Sequence, residues 1–379
     1  MRLILALAAL LPPLSGGALA APPIFPSSAG NLAVETVAGG LVHPWSLAFL
    51  PDGRMLVTER PGRIRIVTRA GQLSPPLAGV PKVYVQSQAG LMDVMLGRDF
   101  STNRTIYFYY AEPADGGGGR IAVAHGQLEE NGRTPRLVAV TTIFRQHGPA
   151  SRGLNIGCRI VQAGDGNLFV TLGDHFSAAE MAQTLDNHIG KIVRIRPDGT
   201  APPDNPFVDK PGALPEIWAY GLRNAEGLAF NPADGKLWEQ EHGPQGGDEI
   251  NIIEKGKNYG WPKVSYGVNY DGTPVGTGKP QASGMQDPVW HWTPSIAPSG
   301  MAFYSGELFP GWKGSLINGA LKFELLSRLT LKGDSAVREE RLLQGLHERI
   351  RDVRQGPDGA LYLLTDNSAG RILRVAPAK

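Results

Sequence analysis

The chain has one cysteine, Cys158, among 379 residues. A single thiol excludes an intrachain disulfide and every metal or haem motif built on paired cysteines, so the fold must be held by its core. An excess of one charge is missing too. Lys and Arg number 37 against 35 Asp and Glu, a formal net charge of +2, and without a basic run nucleic acid and anionic membranes are not expected as partners. Past residue 20 no apolar run approaches the ~20 residues of a membrane-spanning helix, so membrane insertion is not expected. Glycine (49) and proline (31), by contrast, fill roughly a fifth of the chain. That suits many short strands joined by tight turns and argues against a helical bundle.

Residues 1–20, MRLILALAALLPPLSGGALA, read as a secretory signal peptide. Arg2 supplies the positive end, Leu3 to Leu11 the apolar stretch, and Ala18-Leu19-Ala20 the small-x-small cleavage site. Pro12-Pro13 and Ser15-Gly16-Gly17 cut the run too short for an anchor. The expectation is an exported chain, periplasmic or secreted, with residues 21–379 forming a single domain.

One pattern recurs in that domain: an apolar strand, an Asp-Gly turn, a second apolar strand. It occurs in SLAFLPDGRMLVTER (46–60), RIVQAGDGNLFVTLGD (159–174), GLAFNPADGKLWEQEHG (227–243) and DVRQGPDGALYLLTD (352–366). Asp-Gly between two such runs signals a hairpin, because glycine accepts the positive φ that the turn requires. The turns sit at Asp52, Asp165, Asp234 and Asp358, and two of the three gaps are about twice the other. A copy should therefore hide in each long gap. Residues 91–112 and 301–321 have the same shape, giving six units about 61 residues apart. Six units of this length predict an all-β, six-bladed β-propeller of four-stranded blades. The Gly-rich stretch 271–284 reads as a long loop between blades.

Chemistry-bearing residues cluster in a few segments. EHGPQGGDEI (241–250) and KNYGWP (257–262) set Glu241, Asp248 and Glu249 beside glycine turns that expose carbonyls. Such a sulfur-free oxygen set suits a hard cation such as Ca²⁺; the alternative is an acidic surface loop. In HERIRDV, His347, Arg349 and Arg351 alternate, so on a strand they share one face. Two guanidiniums so close need an anion between them, unless they form a solvated basic edge.

These segments, with HPWSLAFLPDGRMLVTERPGRIRIV, QAGLMDVMLGRDF, GKIVRIRPDGTAPPDNPF, YGLRNAEGLAF and HWTPSIAPSGMAFY, carry a resemblance from about Val42 to Val375. The chain resembles the soluble pyrroloquinoline quinone (PQQ) dependent sugar dehydrogenases, the glucose/sorbosone dehydrogenase group that includes periplasmic aldose dehydrogenases. The resemblance implies PQQ and calcium as cofactors, a sugar substrate and a separate electron acceptor. By the same resemblance the carbonyls of Gly243 and Pro244 hold the calcium that binds the quinone, and Glu249 and Tyr259 contribute to a second calcium. Lys322, Arg349, Arg351 and the Arg223-Asn224 pair bind the carboxylates and oxygens of PQQ, and Gln88 lies near the sugar.

Family chemistry is hydride transfer from the sugar C1 to the quinone, with a histidine as base and an aspartate orienting it. Asn155, Asp174 and Arg223 form the matching catalytic set. The aspartate matches Asp174, but the histidine position, four residues before Arg159, holds Asn155. An amide cannot accept a proton at neutral pH, and loss of a positioned base commonly costs about 10²- to 10⁴-fold in rate. His147 and His175 lie nearby without fitting the motif, as does Cys158. With no imidazole to orient, Asp174 is expected to matter little for turnover. Three readings stay open: a working dehydrogenase, a binding propeller without turnover, and a calcium-dependent lactonase-type hydrolase.

Overall fold

Each Asp-Gly pair joins the first strand of a sheet to its second. In the computed structural model, which describes residues 21–132 and 134–378, the turn at Asp52 links Pro44–Phe49 to Met55–Glu59. Asp165 lies between Ile160–Gln162 and Leu168–Leu172, Asp234 between Ala225–Phe230 and Leu237–Glu241, and Asp358 between Ile350–Gln355 and Leu361–Thr365. In all four the Asp carboxylate accepts the backbone N–H two residues on, at 3.0 to 3.2 Å. Gly53, Gly166, Gly235 and Gly359 take φ between 74° and 88°, which costs glycine nothing. The hidden copies are hairpins as well: Leu91–Leu96 with Thr105–Pro113, and Pro298–Phe303 with Leu316–Ala320.

These six hairpins begin six antiparallel blades, and their first strands meet one another in sequence around a closed ring. The chain is a six-bladed β-propeller. Blades 2 to 5 have four strands, and blade 1 stops at three with Arg63–Val67. Blade 6 has five, because Leu32–Leu41 pairs with the C-terminal Gly370–Pro377 and Ile24–Phe25 adds outside it. That pairing closes the ring. Residues 1–20, read as a signal peptide, lie outside the described residues.

Six apolar clusters fill the six blade-to-blade contacts. A second strand is sandwiched on both faces, and Met55–Glu59, Leu168–Leu172 and Leu237–Glu241 are buried at every residue. The stretch 271–284 corrects the sequence reading: it lies inside blade 4, between Asp248–Ile253 and Trp290–Trp292. Its closing strand has only three residues, too short for a period to announce it.

First strands enter, and second strands leave, at the same rim of the ring. At that end the first strands of blades 1, 4 and 6 each carry a bulge, in which Trp45, Glu226 and Arg351 are the extra residues. Bulges re-aim side chains, and here all three converge. Arg351 donates to Glu226 at 2.5 Å and lies 5.4 Å from the Trp45 ring centroid. Deeper in the channel Arg159 pairs with Asp93 (3.3 Å) and Asp352 (2.9 Å), and Arg354 meets the same two carboxylates. The propeller axis is thus plugged by paired charges, and the rim above it is where a ligand can enter.

Candidate active site

Asn155 sits on the loop that leads into blade 3, with φ at 45°, a left-handed conformation that asparagine tolerates better than most residues. The loop lies tight against the exit of the second strand. A Cβ on Gly157 would stand 2.8 Å from backbone atoms of Leu172 and Gly173, so only glycine permits the approach. This contact brings Asn155 to Asp174. Its Nδ2 donates to Asp174 Oδ1 at 2.9 Å, and its backbone N–H donates to Gln88 Oε1 at 2.8 Å. Asp174 Oδ1 also accepts the Phe176 N–H (2.7 Å), and Oδ2 accepts Trp261 Nε1–H (2.8 Å). Burial pushes the Asp174 carboxyl above the usual range, against the pull of Arg223 and these donors.

Arg223 joins this group to the carbonyl loop. Its guanidinium donates to the carbonyls of His242 (3.0 Å) and Gly243 (2.9 Å), approaches Tyr270 Oη at 3.4 Å, and lies over the Trp261 ring. A pocket of about 460 Å³ opens here, lined among others by Asp174, Phe176, Arg223, Pro244, Trp261 and Tyr270. This size suits a small organic ligand. The wall from Phe176 onward is fixed from below by Lys191, whose buried ammonium donates to the carbonyls of Met181, Ala182 and Ile189.

Asn224 is fully buried, and both ends of its amide are used: Oδ1 accepts the Gly157 N–H and Nδ2 donates to Glu226. It braces blade 4 against the Asn155 loop and presents nothing to the pocket. His347, Arg349 and Arg351 do not share a strand face as the alternation suggests. The strand starts only at Ile350, and His347, at φ 56°, turns outward. Arg349 and Arg351 still meet at one anion, Asp366, at 3.7 and 3.2 Å. The anion between the guanidiniums is therefore the protein's own. Arg351 is buried and doubly paired, whereas Arg349 is 48% exposed and donates to the Leu321 carbonyl beside the exposed Lys322.

Blade 4 holds the acidic set. Glu249 stands opposite Glu241 across the strand pair, and Glu239 lies two residues from Glu241 on the same face. Burial, and the proximity of one carboxylate to the next, pushes the carboxyls of Glu239 and Glu249 well above the usual range. Glu239 Oε1 is buried without a partner. Asp248 is different: its oxygens accept the N–H groups of Gly243, Ile296 and Ala297, and it serves as a brace. Tyr259 spends its hydroxyl on Ile252 and Glu254, leaving its main-chain carbonyl. Glu241, Glu249, Gly243 and Tyr259 line one small cavity. Among the described residues no group of three His, Cys, Asp or Glu side chains is disposed to hold a metal alone. A cation here would complete its shell with carbonyls and water, as Ca²⁺ commonly does.

Glu226 and Asp366 were not singled out from the sequence. Asp366 had a signal, since it ends the second strand of its repeat as Asp174 does in blade 3. Glu226 had none, because its partner Arg351 lies 125 residues away. No histidine takes the place of Asn155. His175 is buried beside Gln146 with its pKa lowered to about 4 by that burial, and His147 is exposed.

The family model described as Glucose / Sorbosone dehydrogenase matches residues 41–374. The aldose sugar dehydrogenase of Escherichia coli is 45% identical over 346 residues, 91% of this chain and 92% of that protein. A crystal structure of the soluble aldose sugar dehydrogenase from Escherichia coli in the apo form superposes with a TM-score of 0.89 at 44% identity, covering 92% of this chain and all of that one. The PQQ-bound form of an aldose sugar dehydrogenase from Streptomyces coelicolor gives a TM-score of 0.76 at 31% identity, with 94% and 99% covered. A match along nearly the whole propeller, by sequence and by structure, means that the chain belongs to the glucose/sorbosone dehydrogenase family.

Proposed function

We propose that the protein is a PQQ- and calcium-dependent dehydrogenase that oxidises an aldose or a sugar-derived aldehyde at C1. The observation that carries this reading is the rim itself: the half-exposed Arg349 and exposed Lys322 stand above a core of already neutralised charges. Arg349 keeps only a 3.7 Å contact to Asp366 and a carbonyl partner, and such loosely held cations over a plugged channel suit an anionic ligand; PQQ is a tricarboxylate. Arg349, Lys322 and Arg223 would hold it, and the carbonyls of Gly243 and Pro244 would hold its calcium. When bound, the quinone supplies the acceptor for the C1 hydride. Gln88, tied to Asn155, stands at the sugar side.

Cofactor-free protein titrated with PQQ should bind it only when Ca²⁺ is present, and should then reduce an electron-accepting dye with an aldose from a substrate panel. Quinone binding that ignores chelation would overturn the reading. Binding without turnover is the second reading, favoured by Asn155, and the dye assay separates the two. A lactonase-type hydrolase would need no quinone at all.

Export is proposed on the Ala18-Leu19-Ala20 site, leaving the propeller as a single mature domain. Mass mapping of protein from the periplasm or medium should find the N-terminus at or next to Ala21. An exported chain that still starts at Met1 contradicts this.

A further inference from the structure

We propose that Asp174 is itself the general base of the reaction, taking the C1 hydroxyl proton directly at a carboxylate oxygen instead of orienting a histidine. The assignment rests on the dehydrogenase reading above and goes beyond it.

Of the Asn155–Asp174 couple, only Asp174 lines the pocket; Asn155, His147 and His175 do not. Among the described residues its Oδ1 accepts two hydrogen bonds, but Oδ2 accepts only that of Trp261. A carboxylate oxygen has two lone pairs, so Oδ2 keeps one for a substrate hydroxyl. The Trp261 and Asn155 donors hold the carboxylate in place, which is what a base within hydrogen-bond reach requires.

The other carboxylates lining the pocket are poorer bases. Glu180 is mostly exposed and salt-bridged to Lys263 at 2.6 Å. Asp271 is bonded by the hydroxyl and N–H of Thr273, which hold its carboxyl below the usual range. Asp174 alone is buried, and burial moves its carboxyl upward, toward a useful proton affinity. The charges facing it are Arg223, which opposes that shift, and Glu241, whose own carboxyl Asp174 helps push up; His175, next in the chain, is neutral at pH 7.

The step balances simply. The C1 hydroxyl proton passes to Asp174 Oδ2, the C1–H bond breaks with its electron pair leaving as hydride to the quinone acceptor, and a C1=O double bond forms. The sugar is oxidised by two electrons and the acceptor reduced by two.

The test is Asp174→Asn, which keeps size, although its one acceptor oxygen can serve the Trp261 donor or the Asn155 and Phe176 donors but not both sides. Its kcat should fall by at least about 10²-fold, while PQQ affinity changes less than about threefold. In the parent, kcat/KM should fall on the acid side with a limb above the ordinary carboxyl range, and that limb should barely move with temperature, as a carboxyl's does and an imidazole's does not. This second measurement needs no variant. In cofactor-free protein, Trp261 should report the same protonation as a fluorescence titration that vanishes in Asp174→Asn. A variant that keeps more than a third of the parent kcat, or an acid limb that shifts with temperature like an imidazole's, overturns the assignment. A parent that never binds PQQ overturns the function itself, so the two failures are told apart.

Discussion

Arg351→Ala should destabilise the fold by about 3–5 kcal/mol, the usual cost of leaving a buried ion pair half made, lowering Tm by roughly 4–7 °C. The side chain is 8% exposed and neutralises two buried carboxylates at once, Glu226 at 2.5 Å and Asp366 at 3.2 Å. Arg349→Ala, two residues away on the same rim but 48% exposed, should cost no more than about 0.5 kcal/mol, yet should weaken quinone binding. The two arginines look equivalent in HERIRDV and should separate cleanly by thermal melts and PQQ titration.

The pH dependence of that variant has a definite sign. In the parent, burial pushes the Asp366 carboxyl up, but Arg351, His43 and Arg60 outweigh it and hold the group well below the usual range. A depressed carboxyl stabilises the fold above its unfolded pKa, near 3.9, and loses that contribution as pH falls toward the folded value. Without Arg351 the burial of Glu226 and Asp366 is offset only by the partners that remain, such as His43, Arg60, His242 and Arg159, so their carboxyls rise. The variant fold then binds more protons than the parent fold, and its stability relative to the parent falls as pH rises. The deficit of Arg351→Ala should therefore be largest at pH 7 to 8 and shrink on acidification toward pH 5. A deficit independent of pH would show that lost packing against Trp45, and not unpaired charge, is the cause.

Calcium should stabilise the protein strongly even without quinone. Glu239, Glu241 and Glu249 lie together in blade 4, and no lysine or arginine side chain forms a salt bridge to any of them among the described residues. A cation bound only by the folded chain adds about 2.7 kcal/mol at a hundred times its Kd, which corresponds to a rise in Tm of roughly 3–4 °C. Melts with added Ca²⁺ and with chelator measure it. Glu249→Gln should lose most of the calcium-dependent rise. A Tm that is the same with Ca²⁺ and with chelator would remove the second metal site from the proposal.

The architecture was legible because its signals are local. Each Asp-Gly turn closes through a bond from the Asp carboxylate to an N–H two residues on, and four such turns in a fixed rhythm give the six hairpins. The loop 271–284 escaped because Trp290–Trp292 is too short to carry a period, and its tip, Tyr270 to Gly276, lines the pocket from within blade 4.

For the site, the sequence determined which segments matter and that an amide replaces the expected imidazole at Asn155. It also limited the chemistry: one thiol excludes Cys-based metal and haem motifs, while the hard cation and the anionic cofactor are what the family resemblance implies. Where each of these side chains lies, and which of them meet, follows from the tertiary packing alone. Bulges in three blades bring Trp45, Glu226 and Arg351 to one point, turning one of two similar arginines into a buried brace and leaving the other half exposed at the rim. The Gly157 approach sets Asn155 behind Asp174, so the carboxylate and not the amide reaches the pocket. Such pairings join residues as far apart as Trp45 and Arg351; the ring closure that creates them is a long-range event that no local pattern encodes.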